Sequence, residues 1–463
     1  MSNNGSLSYP EELKQQFIET NDLNYRDGTI VTAADIWKYM TEEAPKKFPY
    51  AFEFGRNNNY LLSEDVEYFS GIKAGYLTLS LKDFLINAHK KGTPLVHVIG
   101  GQIMDAYYAA GGIAFRTALV GQAVRSPHDG ANLRKVALYA QELEEKGKRA
   151  YSYELCGPAL RMRGTIDEGL VPIDLLAPFN CIRCSDMARM VESYRDKFPN
   201  ISLDCPIVDY ENKEWAVDYL SSQLHTLTKK VSDLSGKKIT DNDVLKEIKL
   251  ENKARKLARD IYDIWWSAKV PPTNSVDIGE VSQLATDFRG DPLAAIGVLE
   301  ETKEEIKERV KHSIKGKGLV DDPIRLYVSG MGAGNRRRID RMGGLLVGAD
   351  QGWNAISVNV KESGDPYENL ANGMLSLPLE QPIERRAELA VEQVKKSKAD
   401  GVVVTIAWGC NYSSAVVRIL ADTIKERTGV PTVIFETTPG VEGAEQIENR
   451  TESFIEMLKL RVN

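Results

Sequence analysis

Hydrophobic positions change their period several times along the chain. The first ~90 residues are polar, with short apolar clusters such as Leu81, Phe84, Leu85 and Ala88 at helical spacing, which predicts a helical N-terminal extension over residues 1–90. From Thr93 the texture changes. Residues 94–101 read as a strand running into a glycine turn, and residues 104–110 open a helix, the strand-turn-helix grammar of a parallel sheet. The same grammar recurs at residues 171–178, followed by a loop with two cysteines and a helical stretch over 187–198. Residues 211–320 differ, being rich in Lys and Glu with apolar positions three and four apart (Trp215, Val217, Leu220, Leu224, then Leu245, Ile248, Leu250, Ala254, Leu257, Ile261, Ile264), and they predict a helical domain. Residues 301–317 are more charged still and predict a solvated helix leading into a linker.

The last third returns to alternation. Residues 325–329 form a short strand opening into Gly330-Met-Gly-Ala-Gly334. Residues 401–408 are apolar on both faces, as a central parallel strand should be, and an amphipathic helix over 414–427 leads to a strand at 432–435. The predicted architecture is α/β. It has a first α/β domain over 91–210 carrying Cys156 and Cys184, a helical domain over 211–320, and a second α/β domain over 321–463 carrying Cys410. No internal repeat in the solenoid range is present.

Composition narrows the function. With 463 residues, 42% hydrophobic and 27% charged, the chain has the make-up of a globular protein. Lys plus Arg (59) against Asp plus Glu (66) gives a formal charge of −7, a poor balance for nucleic-acid binding, which rests on phosphate neutralisation. The first thirty residues lack the basic start and apolar run of a secretory signal, and no window approaches the length needed to span a bilayer. A cytoplasmic protein with no membrane contact of its own is expected.

Five cysteines in 463 residues are too few for a disulfide framework and are read one at a time. Cys156 lies before a helix, Cys181 and Cys184 form Cys-x-x-Cys between a strand and a helix, Cys205 ends a short strand, and Cys410 directly follows the apolar strand in Trp408-Gly-Cys-Asn-Tyr-Ser-Ser414. In an open parallel α/β sheet the carboxyl edge of the strands is where ligands bind. Free cysteines are often small buried hydrophobes. Here three of them fall at loop starts in separate units, where backbone N–H groups at a helix start favour a thiolate. Structural zinc wants a second close Cys/His pair, which is missing. A redox disulfide and an iron–sulfur cluster held by cysteines distant in sequence both remain compatible with the spacing.

Taken in order, several segments resemble one family: Glu154-Leu-Cys-Gly, Asn180-Cys-Ile-Arg-Cys-Ser-Asp-Met187, Asp204-Cys-Pro-Ile-Val-Asp-Tyr210, Phe288-Arg-Gly, Gly409-Cys-Asn, Thr428-Gly-Val-Pro-Thr-Val-Ile-Phe-Glu436 and Glu448-Asn-Arg450. Over roughly residues 90–460 the chain resembles the iron–sulfur (D-component type) subunits of the 2-hydroxyacyl-CoA dehydratases and the related ATP-dependent benzoyl-CoA reductases. The resemblance implies two Rossmann-like (flavodoxin-like) domains with a [4Fe-4S] cluster between them, held by Cys156, Cys184 and Cys410, with the fourth iron facing the substrate. Cys181, the alternative to Cys184, and Cys205 are left as structural. It further implies a homologous second subunit or a second copy as partner and an ATP-dependent iron–sulfur activator that delivers a low-potential electron. The acyl-CoA thioester then becomes a ketyl radical, or an aromatic ring a radical anion, chemistry beyond side chains.

The chain departs from the dehydratase pattern. The Trp-x-Ser/Thr-x-x-x-Pro phrase is replaced by Val96-His-Val-Ile-Gly-Gly-Gln-Ile-Met-Asp105, the carboxylate expected near residues 116–118 is missing, and Glu436-Thr-Thr-Pro-Gly440 stands where acidic-Asp-Pro-Arg is usual. Dehydratase relay subunit, reductase subunit and divergent enzyme all remain open, while Gly409-Cys-Asn and Phe288-Arg-Gly lean toward the reductase branch. Asp105, His97 and Ser413 are the candidate catalytic side chains; for His97 a core role, and for Ser413 and Ser414 helix capping, are the alternatives. Arg336, Arg337 and Arg338, after the glycine loop, are candidates for coenzyme A phosphates, against a solvated basic face. Trp265 and Trp266 read as core.

Overall fold

The structure, a computed structural model, describes residues 9–48, 65–100, 103–116, 142, 145–146, 155–181, 184–206, 213–330, 336–407, 409–437 and 441–462. A small antiparallel pair, β1 (Leu23–Asn24) and β2 (Ile30–Val31), precedes two four-stranded parallel sheets. The first sheet holds β3 (Leu95–Ile99), β4 (Ile113–Phe115), β5 (Leu175–Cys181) and β6 (Leu203–Cys205) in the order β4-β3-β5-β6. The second holds β7 (Ile324–Ser329), β8 (Gly344–Ala349), β9 (Gly401–Ala407) and β10 (Thr432–Thr437) in the order β10-β9-β7-β8. Read from the other edge, the second is the same arrangement: second strand, first, third, fourth. That is the start of a flavodoxin-like sheet, whose switch point lies between its first and third strands. All five residues of β3 are buried, as are Val402, Val403 and Val404 of β9, so these strands are covered on both faces. The α/β class and the two parallel sheets predicted from the sequence are observed.

Some boundaries move for local reasons. The strand expected at 171–178 begins later, because Pro172 has no N–H to give the ladder and pairing starts at Asp174, which exchanges bonds with Leu95 through its N–H (3.0 Å) and its carboxylate (2.7 Å). The helix expected over 187–198 is Ser185–Glu192, followed by turns. The strand β4, three residues long, carries too few to show a period, and β8, with Gly344 and Gly348 among its six residues, lacks a clear strand pattern.

Between the sheets lie the helices Glu214–Ser235, Asp241–Ser267, Ser275–Asp287 and Pro292–Lys311. Their starts are written locally. Thr240 and Asp243 form a capping box, Asn274 accepts from the N–H groups of Val276 and Asp277, and Asp291 accepts from those of Leu293 and Ala294 ahead of a proline at the first helical position. The charged stretch from 301 is the second half of Pro292–Lys311; Glu304, Lys307, Glu308 and Lys311 form the expected solvated face, while its other face packs. Glu301 pairs with the fully buried Lys73, and Glu305 accepts from the N–H groups of Phe69 and Ser70 at 2.8 and 3.0 Å, capping the helix Phe69–Lys90. The N-terminal residues thereby join the helical part. Trp265 and Trp266 are buried core, as expected. Among the described residues no helix is long and apolar enough to cross a membrane.

The helix Asp241–Ser267 reaches both α/β units. In Asp241–Ser267, Arg255 grips Asp105 with two hydrogen bonds (3.2 and 2.9 Å), reaching the start of the helix Asp105–Ala109 that follows β3. The same helix reaches the second unit through Asn252, which donates to the Val360 carbonyl at 2.7 Å, and through Trp266, whose indole donates to the Val347 carbonyl of β8 at 2.8 Å. Glu251 lies 3.6 Å from Arg255, and burial together with the Asp105 charge pushes its carboxyl well above the ordinary range. The charged pair is therefore Asp105 with Arg255, and Glu251 stays protonated beside it.

Two outcomes follow. Arg255→Met leaves Asp105 charged and unpaired in the interior and should lower the unfolding free energy by about 3–5 kcal/mol in urea titrations. Glu251 keeps its proton in the folded chain and loses it in the unfolded one, so stability should fall as pH rises above the ordinary carboxyl range. Glu251→Gln, which keeps a donor but cannot ionise, should match the parent at acidic pH and exceed it at neutral pH; a constant difference across pH would refute the protonated assignment.

Candidate cysteine site

Each of Cys156, Cys184 and Cys410 is the residue immediately before a helix, respectively Gly157–Asp167, Ser185–Glu192 and Asn411–Thr428. Two of them occupy matching places in the two sheets. In the first sheet the last residue of β3, Ile99, pairs with Pro178 of β5; in the second the last residue of β7, Ser329, pairs with Val404 of β9. Cys184 lies six residues beyond Pro178 (184 − 178) and Cys410 six residues beyond Val404 (410 − 404). Both therefore leave the carboxyl edge beside the switch point, where open α/β sheets bind ligands.

The glycine turns after the first strands match as well. Gly100 (φ +90°) and Gly330 (φ +107°) lie in conformations that side chains rarely adopt. A Cβ at Gly100 would sit 3.0 Å from the carbonyl oxygen of Phe179, and one at Gly330 would overlap that of Thr405. Each contacted carbonyl belongs to the residue after the paired one, so the same close approach of backbone to backbone is built twice.

Cys156 joins the two. Its N–H donates to the buried Asp186 carboxylate at 2.7 Å, which ties the turn before Gly157–Asp167 to the first turn of the helix behind Cys184. A Cβ on Gly409 would lie 3.3 Å from the Cα and 3.6 Å from the Cβ of Cys156, so the turn carrying Cys410 rests against Cys156. Burial pushes the Cys156 thiol up to about 12; the Ala159 N–H opposes this, and Asp186 and Cys184 add to it. Burial also raises Cys184, the Met187 N–H opposes it, and Cys410 adds to it. Three thiols from three segments thus share one neighbourhood. Cys156, Cys184, Cys205 and Cys410 are not in disulfides. Among the described residues no three His, Cys, Asp or Glu side chains are set to hold a single metal ion.

Cys205 is buried in the main core, and its strand partner in register is Cys181, whose side chain lies outside the described residues. Asp105 is enclosed in its ion pair with Arg255. His97 is buried inside β3 against Phe115, and burial, with the Arg116 charge second, brings its imidazole down to about 3, so it is neutral at neutral pH. Ser413 falls in the first turn of Asn411–Thr428 and its side chain lies outside the described residues; Ser414 is exposed and donates to the Cys410 carbonyl at 2.9 Å.

The glycine loop 331–335 also lies outside the described residues. The helix after it, Arg336–Arg341, is six residues long and its arginines go three ways. Arg338 binds Glu448 at 2.6 Å, Arg337 is buried, and Arg336 crosses to the helix Ser275–Asp287, where a Cβ at Gly279 would overlap its guanidinium. Sequence reasoning named the cysteines but not Asp186, although an acidic residue in the first turn after Cys184 was a visible signal. It had no signal for Gly279.

A family model described as 2-hydroxyglutaryl-CoA dehydratase, D-component, matches residues 107–458, which takes in the three cysteines and every strand of the two sheets except β3. A 265-residue stretch is 24% identical to one of the subunits of benzoyl-CoA reductase from Thauera aromatica, covering 52% of this chain and 64% of that relative. The chain thus spans a little under two thirds of the curated relative it matches.

The duplicated glycine contact makes a measurable difference between two glycines of positive φ. Gly330→Ala adds overlap to backbone strain and should destabilise by roughly 3–5 kcal/mol. Gly169→Ala (φ +65°), with nothing within 4 Å, should cost only about 1–2 kcal/mol. Equal losses in thermal or urea unfolding would remove the close approach as the reason for Gly330.

Proposed function

The chain belongs to the 2-hydroxyglutaryl-CoA dehydratase D-component family, and from that premise we propose that it is the [4Fe-4S] subunit of an enzyme that dehydrates or reduces an acyl-CoA, with Cys156, Cys184 and Cys410 as the cluster's protein ligands. The observation that carries this is the matched placement of Cys184 and Cys410 on two sheet edges, with Cys156 packed under Gly409. The donor set suits the group. Three thiols precede three helices, and the N–H groups of Ala159 and Met187 favour the thiolates of Cys156 and Cys184. Four irons spread their ligands over separate corners, which accords with thiols gathered in one place but not converging on a single ion. A cluster with one iron left open by the protein supplies a single low-potential electron next to a substrate.

The chain's own residues hold and orient in this reading. Asp186 fixes the Cys156 turn to the Cys184 helix, the glycine turns bring the strands' edges close, and the helix Asp241–Ser267 sets the sheets in place. A homologous second subunit, or a second copy, and an ATP-dependent iron–sulfur activator complete the machine. Similarity to part of a benzoyl-CoA reductase favours the reductase branch as the second reading, with an electron-relay role inside such a complex as its variant.

Iron and acid-labile sulfide in anaerobically purified protein test the proposal. Four irons per chain are expected, with loss of iron in Cys156→Ala, Cys184→Ala and Cys410→Ala and retention in Cys205→Ala. Protein without iron, or a full cluster in the Cys410 variant, would falsify the assignment. A change in the paramagnetic resonance signal on adding an acyl-CoA separates a substrate-binding subunit from a relay.

A further inference from the structure

The seat of Arg336 points to a ligand. Arg336 stands six residues beyond Gly330 and reaches over the helix Ser275–Asp287 at the one position of that helix's contact where a side chain is missing, Gly279. A guanidinium has five N–H donors. Among the described residues Arg336 makes one hydrogen bond, a long one of 3.5 Å to the Ser275 carbonyl, and no ion pair. Two acidic groups of the elements it joins are engaged with other partners. Asp340 accepts from the N–H and the hydroxyl of Ser275, and Glu280 accepts from Arg289 at 2.7 Å. The Tyr262 hydroxyl donates to the Ile278 carbonyl at 3.0 Å. Arg338, by contrast, has Glu448. A half-buried guanidinium with its donors unspent and no counter-charge is a site for an anion, and its planar fork matches a phosphate.

We propose that Arg336, seated on Gly279, receives a phosphate of the acyl-CoA; this rests on the acyl-CoA reading above. Gly279 acts as a positioning residue, since any side chain there displaces the guanidinium. The displaced group is the far end of a flexible side chain, so Gly279→Ala should move the arginine and leave the helix intact.

Equilibrium dialysis of the full chain with coenzyme A and with phosphate-free pantetheine tests this. Arg336→Ala and Gly279→Ala should each weaken coenzyme A binding about ten- to hundredfold, the range of a charge-assisted hydrogen bond, and leave pantetheine binding unchanged. Arg336→Lys should fall between, having the charge without the fork. Arg385→Ala, which removes a charge from the exposed side of another helix, should bind like the parent. Dephospho-coenzyme A separates the two sources of phosphate: loss of the Arg336 effect with it assigns the 3′-phosphate, and persistence assigns the pyrophosphate. Parent-like coenzyme A binding by both Arg336→Ala and Gly279→Ala, or equal weakening of pantetheine, overturns the inference. If the parent itself binds no coenzyme A, the acyl-CoA reading falls. Inorganic pyrophosphate then probes the guanidinium alone: binding that depends on Arg336 sustains an anion site, and its absence ends it.

Discussion

The two-bond grip of Arg255 on Asp105 is the interaction on which the arrangement of the molecule turns. A buried ion pair contributes little net stability, because desolvation offsets most of the attraction, but it is directional and expensive to break. Here it fixes the helix Asp241–Ser267 against the element that follows β3, while Asn252 and Trp266 on the same helix take hold of the second unit. Two parallel sheets that share no strand are thereby linked through this helix, and Glu214–Ser235 adds a second link, with Gln223 accepting from the Asp204 N–H and His225 stacked on Tyr367. The turn carrying Cys410 rests on Cys156 through Gly409, and Asp186 ties Cys156 to the helix behind Cys184.

Within this frame the two α/β units are near copies in topology. Strand order, the glycine turn after the first strand, the carbonyl against which it presses and the six-residue step to the cysteine all agree. The agreement ends at Cys156. It precedes the helix that leads into β5, and the corresponding position in the second unit, before the helix Ile383–Lys396 that leads into β9, is Pro382. A duplicated frame would offer thiols in pairs. This one offers two matched thiols, one from each unit, and a third from the first unit only, so the neighbourhood is asymmetric.

Much of this was legible in the sequence, and the limits are physical. The alternation of strands and helices showed where strands were apolar on both faces, as in β3 and β9, and failed for β4, three residues long, and for β8, interrupted by Gly344 and Gly348. The cysteines stood out by their place before helices. Asp105 and Arg338 looked available because their partners, Arg255 and Glu448, lie 150 and 110 residues away, and no local pattern announces such a pairing. His97 was ambiguous for a similar reason: a polar residue in an apolar strand faces either core or cleft, and only the packing of Phe115 against it decides. Residues 301–311 were half legible: the dense charge does mark a solvated face at Glu304, Lys307, Glu308 and Lys311, but Glu301 and Glu305 turn to Lys73 and the start of another helix, partners far away in sequence.

The protonation states around the thiols bear on what kind of chemistry the chain itself can perform. His97 is neutral and enclosed, Asp186 is occupied with a backbone N–H, and Asp105 and Glu251 are sealed under Arg255. Burial keeps His97 neutral and holds the proton on Glu251. Their shared role is geometric: each fixes a strand, a turn or a helix start.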